Sequence, residues 1–261
     1  MRTKVMGIVN VTPDSFSDGG QFFRPEEAIR RARNLVDDGA DIIDLGGEST
    51  RPGSVPIGWE EEWVRLEPVL RGLSPSLMGS VPISVDTYHP ETARRAIAAG
   101  ATIVNCVKDE AVPEMMQILK EKPEVELVIP FREGVCPQVE GGLSSRLYLD
   151  PMIGFGTTRE EDLELLRSVP RLAKVGRVLV GASRKRIVKK LTGEKMTGKN
   201  IGGNMAIAVW CAMHGASVVR VHDVKETVQA LRVVEALSPF GSDAEDGGYV
   251  DDVFFIPAAA K

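Results

Sequence analysis

Three things are scarce in this 261-residue chain, and each scarcity closes off a class of function. Cysteine occurs only as Cys106, Cys136 and Cys211, odd in number and widely spaced. That pattern is neither a disulfide framework nor a paired zinc motif, so a reduced, cytoplasmic setting is expected. No apolar run approaches the roughly 20 residues of a membrane span, which argues against a membrane partner. No basic stripe exists either: 32 Lys and Arg face 37 Asp and Glu, a formal net charge of −5. Nucleic acid is therefore not expected as a partner. The residues leading into position 4 lack the charged, apolar and small-residue pattern of a secretory signal.

What is present is a regular alternation. Short β-branched runs at 5–9, 41–45, 81–86, 102–105, 127–130, 146–150, 178–181 and 218–221 read as strands. Helical patterns at 25–38, 60–73, 90–99, 112–121, 159–168, 202–214 and 224–237 fall between them. Such alternation is the signature of a parallel sheet with crossover helices. Eight strands in a chain of this length imply a closed (β/α)8 barrel rather than an open doubly wound sheet. The phrase Gly39-Ala40-Asp41-Ile42-Ile43 recurs in variant form at 100–104 and 215–219, as a repeated helix-to-strand turn. Between 130 and 146 the chain is short and rich in Gly, Pro and Ser, so the helix there is expected to be shortened or missing. Residues 1–238 read as one barrel and 239–261 as a tail.

In such a barrel the C-terminal strand ends share one face. The residues there are Asn10, the loop from Glu48 to Gly53, Asp86, Asn105, Asp150, Lys185, Arg220 and His222. Asp86 and Asp150 each end an apolar strand. A carboxylate in that place either accepts paired N–H groups from an amidine-like ring edge or caps a helix or rim salt bridge. Arg220 and His222 are two apart and share a strand face. With Thr50 and Arg51 they suit a phosphate or diphosphate, although Asp223 alone could hold His222. Lys185, at a strand-to-helix junction, reaches a carbonyl or ring nitrogen in the mouth. Phe155 either packs on a planar ligand or fills core space. Asn10 binds a metal ion or a phosphate oxygen, and the polar loop after it reads as a lid.

Six segments carry a resemblance: 6–20, 46–53, 83–87, 150–156, 183–185 and 220–224. Together and in order they resemble the dihydropteroate synthase family. The resemblance implies condensation of 6-hydroxymethyl-dihydropterin diphosphate with p-aminobenzoate, with Mg2+ and release of diphosphate. It implies pterin contacts from Asp86, Asn105, Asp150 and Lys185. Thr50, Arg51, Arg220 and His222 would hold the diphosphate, and Asn10 its metal. Arg51, Pro52, Phe155 and Arg186 would border the aminobenzoate. Catalysis would fall to Asp150, Lys185 and Arg220, and homodimers are common in such barrels. The chain departs from the family pattern at Cys106 (usually Asp), Met152 (usually Gly), Thr157 (usually Lys) and Arg186 (usually Ser), and at 129–131. Arg186 would either grip the aminobenzoate carboxylate or occupy its space. The rival readings are a non-catalytic pterin-binding paralogue and a methyltransferase using a reduced folate.

Overall fold

A computed structural model describes residues 2–12, 24–49, 54–77, 81–131, 143–196 and 198–237. Eight parallel strands close into a barrel in chain order. They are β1 (Lys4–Asn10), β2 (Ile42–Gly46), β3 (Ile83–Asp86), β4 (Ile103–Asn105), β5 (Glu126–Pro130), β6 (Leu147–Asp150), β7 (Arg177–Val180) and β8 (Val218–Val221). The outer helices are α1 (Pro25–Asp37), α2 (Trp59–Leu77), α3 (Pro90–Ala98), α4 (Val112–Glu121) and α5 (Arg159–Arg167). The short α6 (Val169–Ala173), α7 (Arg186–Thr192), α8 (Ile201–Met213) and α9 (Val224–Leu237) complete the ring.

The expected strands are found within one or two residues of their places. β3 starts later than its apolar run, at Ile83, because Pro82 has no N–H to offer a ladder. The recurrent helix-to-strand turn has a physical cause: Gly39, Gly100 and Gly215 all hold positive φ, between 89° and 102°, which side chains with a Cβ rarely adopt. α6 was not expected; Pro170 supplies its start just beyond the end of α5. Between β5 and β6 the described residues form only a 3-10 turn, Leu143–Arg146. Residues 132–142, like the tail 239–261, lie outside the described residues.

That turn is anchored by one side chain. Arg146 donates from Nη1 to the carbonyls of Lys122 and Val125 at 2.8 and 2.9 Å, and from Nη2 to that of Leu119 at 2.8 Å. These are carbonyls around the end of α4, which a helix leaves unpaired. Arg146→Ala is expected to destabilise the fold by about 1–2 kcal/mol, read as a lower urea midpoint. An unchanged midpoint would show that water satisfies these carbonyls equally well.

Strand parity fixes what the barrel encloses. Met6, Ile42, Ile103, Val128, Tyr148, Leu179 and Val218 form one buried apolar cluster. Side chains two residues apart on a strand point the same way. One step beyond that floor therefore come Ile8, Asp44, Asn105, Pro130, Asp150, Gly181 and Arg220. The same alternation that makes a greasy floor thus sets a polar layer above it, toward the mouth.

Candidate active site

The register aligns the polar layer. Asn10 pairs with Gly46, Gly46 with Asp86, and Asp86 with Asn105. Asn10, Asp86 and Asn105 thus end three strands along one rim, with Gly46 between Asn10 and Asp86 in the row. Asn10 and Asp86 are half-buried, and Asn105 is buried.

Arg220 is the hub. Its Nε donates to Asp44 Oδ2 and its Nη2 to Asp86 Oδ2, both at 2.6 Å. Asn105 Nδ2 also approaches Asp44 Oδ2, at 3.4 Å. Burial alone would lower the Arg220 pKa, but the two carboxylates outweigh it and the pKa is raised, so the guanidinium stays charged. Asp44 is fully buried, at 0% exposure. Sequence reading had not placed it in the site. The available signal was a single acid inside the apolar run Ile42-Ile43-Asp44-Leu45, since a buried charge requires a partner.

Asp150 closes β6, and its Oδ1 accepts the Met152 N–H at 2.7 Å. Met152 holds φ 61°, the left-handed region, which explains why glycine is the easier residue there. Burial raises the Asp150 pKa, opposed by Lys185, the Met152 N–H and Arg220. Burial also pushes Asp86 up to about 7 against the pull of Arg220, with Lys185 acting on it too. The same two cations, Arg220 and Lys185, act on both acids, and each acid ends its strand at the C-terminal rim of the barrel. Burial brings the Lys185 ammonium down to about 8, with Asp150 opposing. Asp86 and Lys185 are thereby poised to gain or lose protons near neutrality, as functional sites often require.

The loop after β6 carries the lysine's supports. Lys185 Nζ donates to the Ile153 carbonyl at 2.5 Å and lies 4.2 Å from the Phe155 ring centroid. Phe155 is half-buried and lies against the lysine head. Arg186, exposed at the start of α7, donates to the Thr157 carbonyl. His222 has Ser183 as a partner. Its Nδ1 meets Ser183 Oγ at 3.1 Å, whereas Asp223 pairs with Arg184 and accepts from Asn204 at 3.2 Å. Thr50, Arg51 and Pro52 lie outside the described residues. The stem of their loop is tied down: Glu48 accepts from Tyr88 Oη at 2.5 Å and meets His89 Nε2 at 3.2 Å. Cys106 is buried and its thiol is pushed up to about 11 by burial, so it packs rather than reacts.

Two acids, an ammonium and a guanidinium around a rim with an aromatic face suit a flat, nitrogen-rich ring with an anionic substituent. The family model of pterin binding enzymes matches residues 6–134 and 124–222. A dihydropteroate synthase of Synechocystis is 37% identical, over 90% of each chain. Among solved structures, the Xanthomonas albilineans dihydropteroate synthase with 4-aminobenzoic acid is 38% identical. It aligns with a TM-score of 0.80 over 90% of this chain and 93% of its own. The Clostridium difficile dihydropteroate synthase, determined in the presence of pteroic acid, is 36% identical with a TM-score of 0.81, over 90% and 97%. With these matches over nine-tenths of an eight-stranded barrel, the chain belongs to the dihydropteroate synthases, within the pterin-binding enzymes.

Proposed function

We propose that the barrel joins 6-hydroxymethyl-7,8-dihydropterin diphosphate to p-aminobenzoate, a step of folate synthesis. The observation that carries this is the meeting of Asp86, Asp150, Lys185 and Arg220 at one mouth. Asp150 accepts paired N–H groups of the pterin, and this donation favours its charged form over the burial that opposes it. Asp86 and Asn105 border the same ring, and Lys185 donates to its carbonyl or ring nitrogen. Breaking the bond from the methylene carbon to the diphosphate oxygen leaves positive charge on the pterin and negative charge on the leaving group. Asp150 stabilises the first; Arg220 and His222, with Thr50 and Arg51, receive the second. The aminobenzoate nitrogen then bonds to the methylene carbon and loses a proton.

Phe155, Pro52 and Arg51 border the aminobenzoate. Arg186 holds its carboxylate, exchanging the Thr157 carbonyl for a charged partner. Among the described residues no cluster of three or more His, Cys, Asp or Glu side chains could cage a metal. The neutral amide of Asn10 fits Mg2+ bound chiefly through diphosphate oxygens and water. When bound there, Mg2+ would neutralise charge on the departing diphosphate. A homodimer fits α8: its sequence is apolar all round, yet Met213 is 59% exposed. Among the described residues no helix is long and apolar enough to cross a membrane, and with three scattered cysteines the cytoplasm is the compartment that fits.

A coupled assay of diphosphate release, with and without p-aminobenzoate, tests the reading. Release that needs both substrates is expected. Pterin binding without release at any aminobenzoate concentration would identify a non-catalytic paralogue. Arg186→Ser is expected to raise KM for p-aminobenzoate several-fold while leaving KM for the pterin nearly unchanged. The reverse pattern would remove Arg186 from the aminobenzoate pocket.

A further inference from the structure

We propose that Asp162, on the outer helix α5, is a positioning residue for Lys185, acting through the single peptide group between Ile153 and Gly154. The proposal rests on the reading of Lys185 as a pterin-binding cation, and extends it to a residue that belongs to none of the motifs above.

Asp162 is fully buried at 0% exposure. Its Oδ1 accepts the Gly154 N–H at 2.7 Å and the Thr157 hydroxyl. The carbonyl on the other side of that same peptide, from Ile153, accepts the Lys185 ammonium at 2.5 Å. The chain of contacts therefore runs from ammonium to carbonyl, across one amide plane, and from N–H to carboxylate. A carboxylate pulling on the N–H polarises the amide and makes its carbonyl a stronger acceptor. The contact also fixes where the lysine lies. A Cβ on Gly154 would stand 2.9 Å from Lys185 Cδ, so the lysine stem is laid against this peptide and would be displaced if it rotated. Gly154 itself holds φ 78°, which glycine adopts freely, and the bond to Asp162 fixes which way its peptide faces.

The arrangement goes beyond what loop stability requires. Thr158 already starts α5 with a capping box, accepting from the Glu161 N–H while Glu161 bonds the Thr158 N–H. Asp162 Oδ2 has no protein partner in its buried position. A neutral amide at 162 would hold the loop without burying a charge. The charge has a use only if something nearby responds to it, and Lys185 does: Asp162 raises the pKa of that ammonium, as do Asp150 and Asp86, whereas Arg220 and burial lower it. Among the described residues, these are the charged groups that act most strongly on Lys185, from α5, β6, β3 and β8. Asp162 thus helps keep the lysine protonated in a setting that otherwise strips its proton.

The test is the titration of Lys185 followed by 13C NMR of its ε-carbon in the full chain, the resonance being assigned by its loss in Lys185→Arg. Asp162→Asn keeps the shape and one acceptor but removes the charge. The Lys185 midpoint is expected to fall by about half a pH unit or more, and the KM for the pterin to rise more than kcat falls. Thr157→Val removes a hydroxyl that donates to Asp162 and also accepts the Gly154 N–H at 3.1 Å, leaving that N–H and that carboxylate to each other; here the midpoint is expected to move up. An unmoved midpoint in Asp162→Asn overturns the proposal, even if the variant is less stable, because a purely structural role would lower the melting temperature alone. If Asp162→Asn does not fold, Thr157→Val decides, and a midpoint that stays or falls overturns it. The NMR reading needs no turnover, so failure of diphosphate release would count against the reaction above and not against this contact.

Discussion

Arg220→Met is expected to lose both turnover and about 3–5 kcal/mol of stability, the penalty for leaving a buried carboxylate without its partner. Asp44 is the reason. It is at 0% exposure, its Oδ2 takes the Arg220 Nε at 2.6 Å, and the other neighbour, Asn105, stands at 3.4 Å. The stability loss and the catalytic loss have different origins and can be separated. Adding Asp44→Asn to Arg220→Met removes the stranded charge, so the urea midpoint should return most of the way. Diphosphate release should not return, because the group facing the leaving anion is still absent; a deficit of about 100- to 1000-fold is expected. If the single variant melts where the parent does, the ion pair contributes no stability. If the double variant turns over normally, Arg220 has no part in the reaction.

Asp150→Asn should show the opposite combination, poor activity in a protein that is no less stable. The amide keeps an acceptor for the Met152 N–H, which the acid holds at 2.7 Å, but cannot offer a charge to the pterin. Turnover is expected to fall by about 100-fold or more, and pterin affinity by about 1–3 kcal/mol. The stability side follows from the direction of the Asp150 shift. Burial raises its folded-state pKa above the unfolded value of about 3.9. The folded chain then holds the proton more tightly, a contribution present below the unfolded pKa and lost as pH rises through the folded one. Asparagine does not titrate, so the thermal midpoint of the variant should gain on the parent as pH rises across that window. A gap that narrows with pH would show that the paired charge stabilises the fold, and that Lys185 outweighs burial.

Both results concern residues whose presence at the mouth was legible before any coordinates. Asp150 and Arg220 sit at strand ends, and a parallel barrel gathers strand ends on one face whatever the details of packing. Lys185 and Phe155 were legible for the same reason, each close behind a strand. His222 was legible as a position, but its partner was not. His222 and Asp223 follow the end of β8 at Val221, so adjacency in sequence did not point to the Ser183 contact. Ser183, on the far side of the β7–β8 pair, could be found only in space.

The sequence by itself determined the barrel, its order of elements and the acids and cations on its rim. Each of these follows from local rules: apolar period, turn residues and the parity of side chains along a strand. Tertiary structure alone decided the pairings across distance. Asp44 meets Arg220 from 176 positions away, and Asp162 reaches the lysine through a peptide that neither residue belongs to. The physical reason is that closing the barrel brings β2 and β8 to either side of β1, and only then does a buried acid on one strand find its base on another.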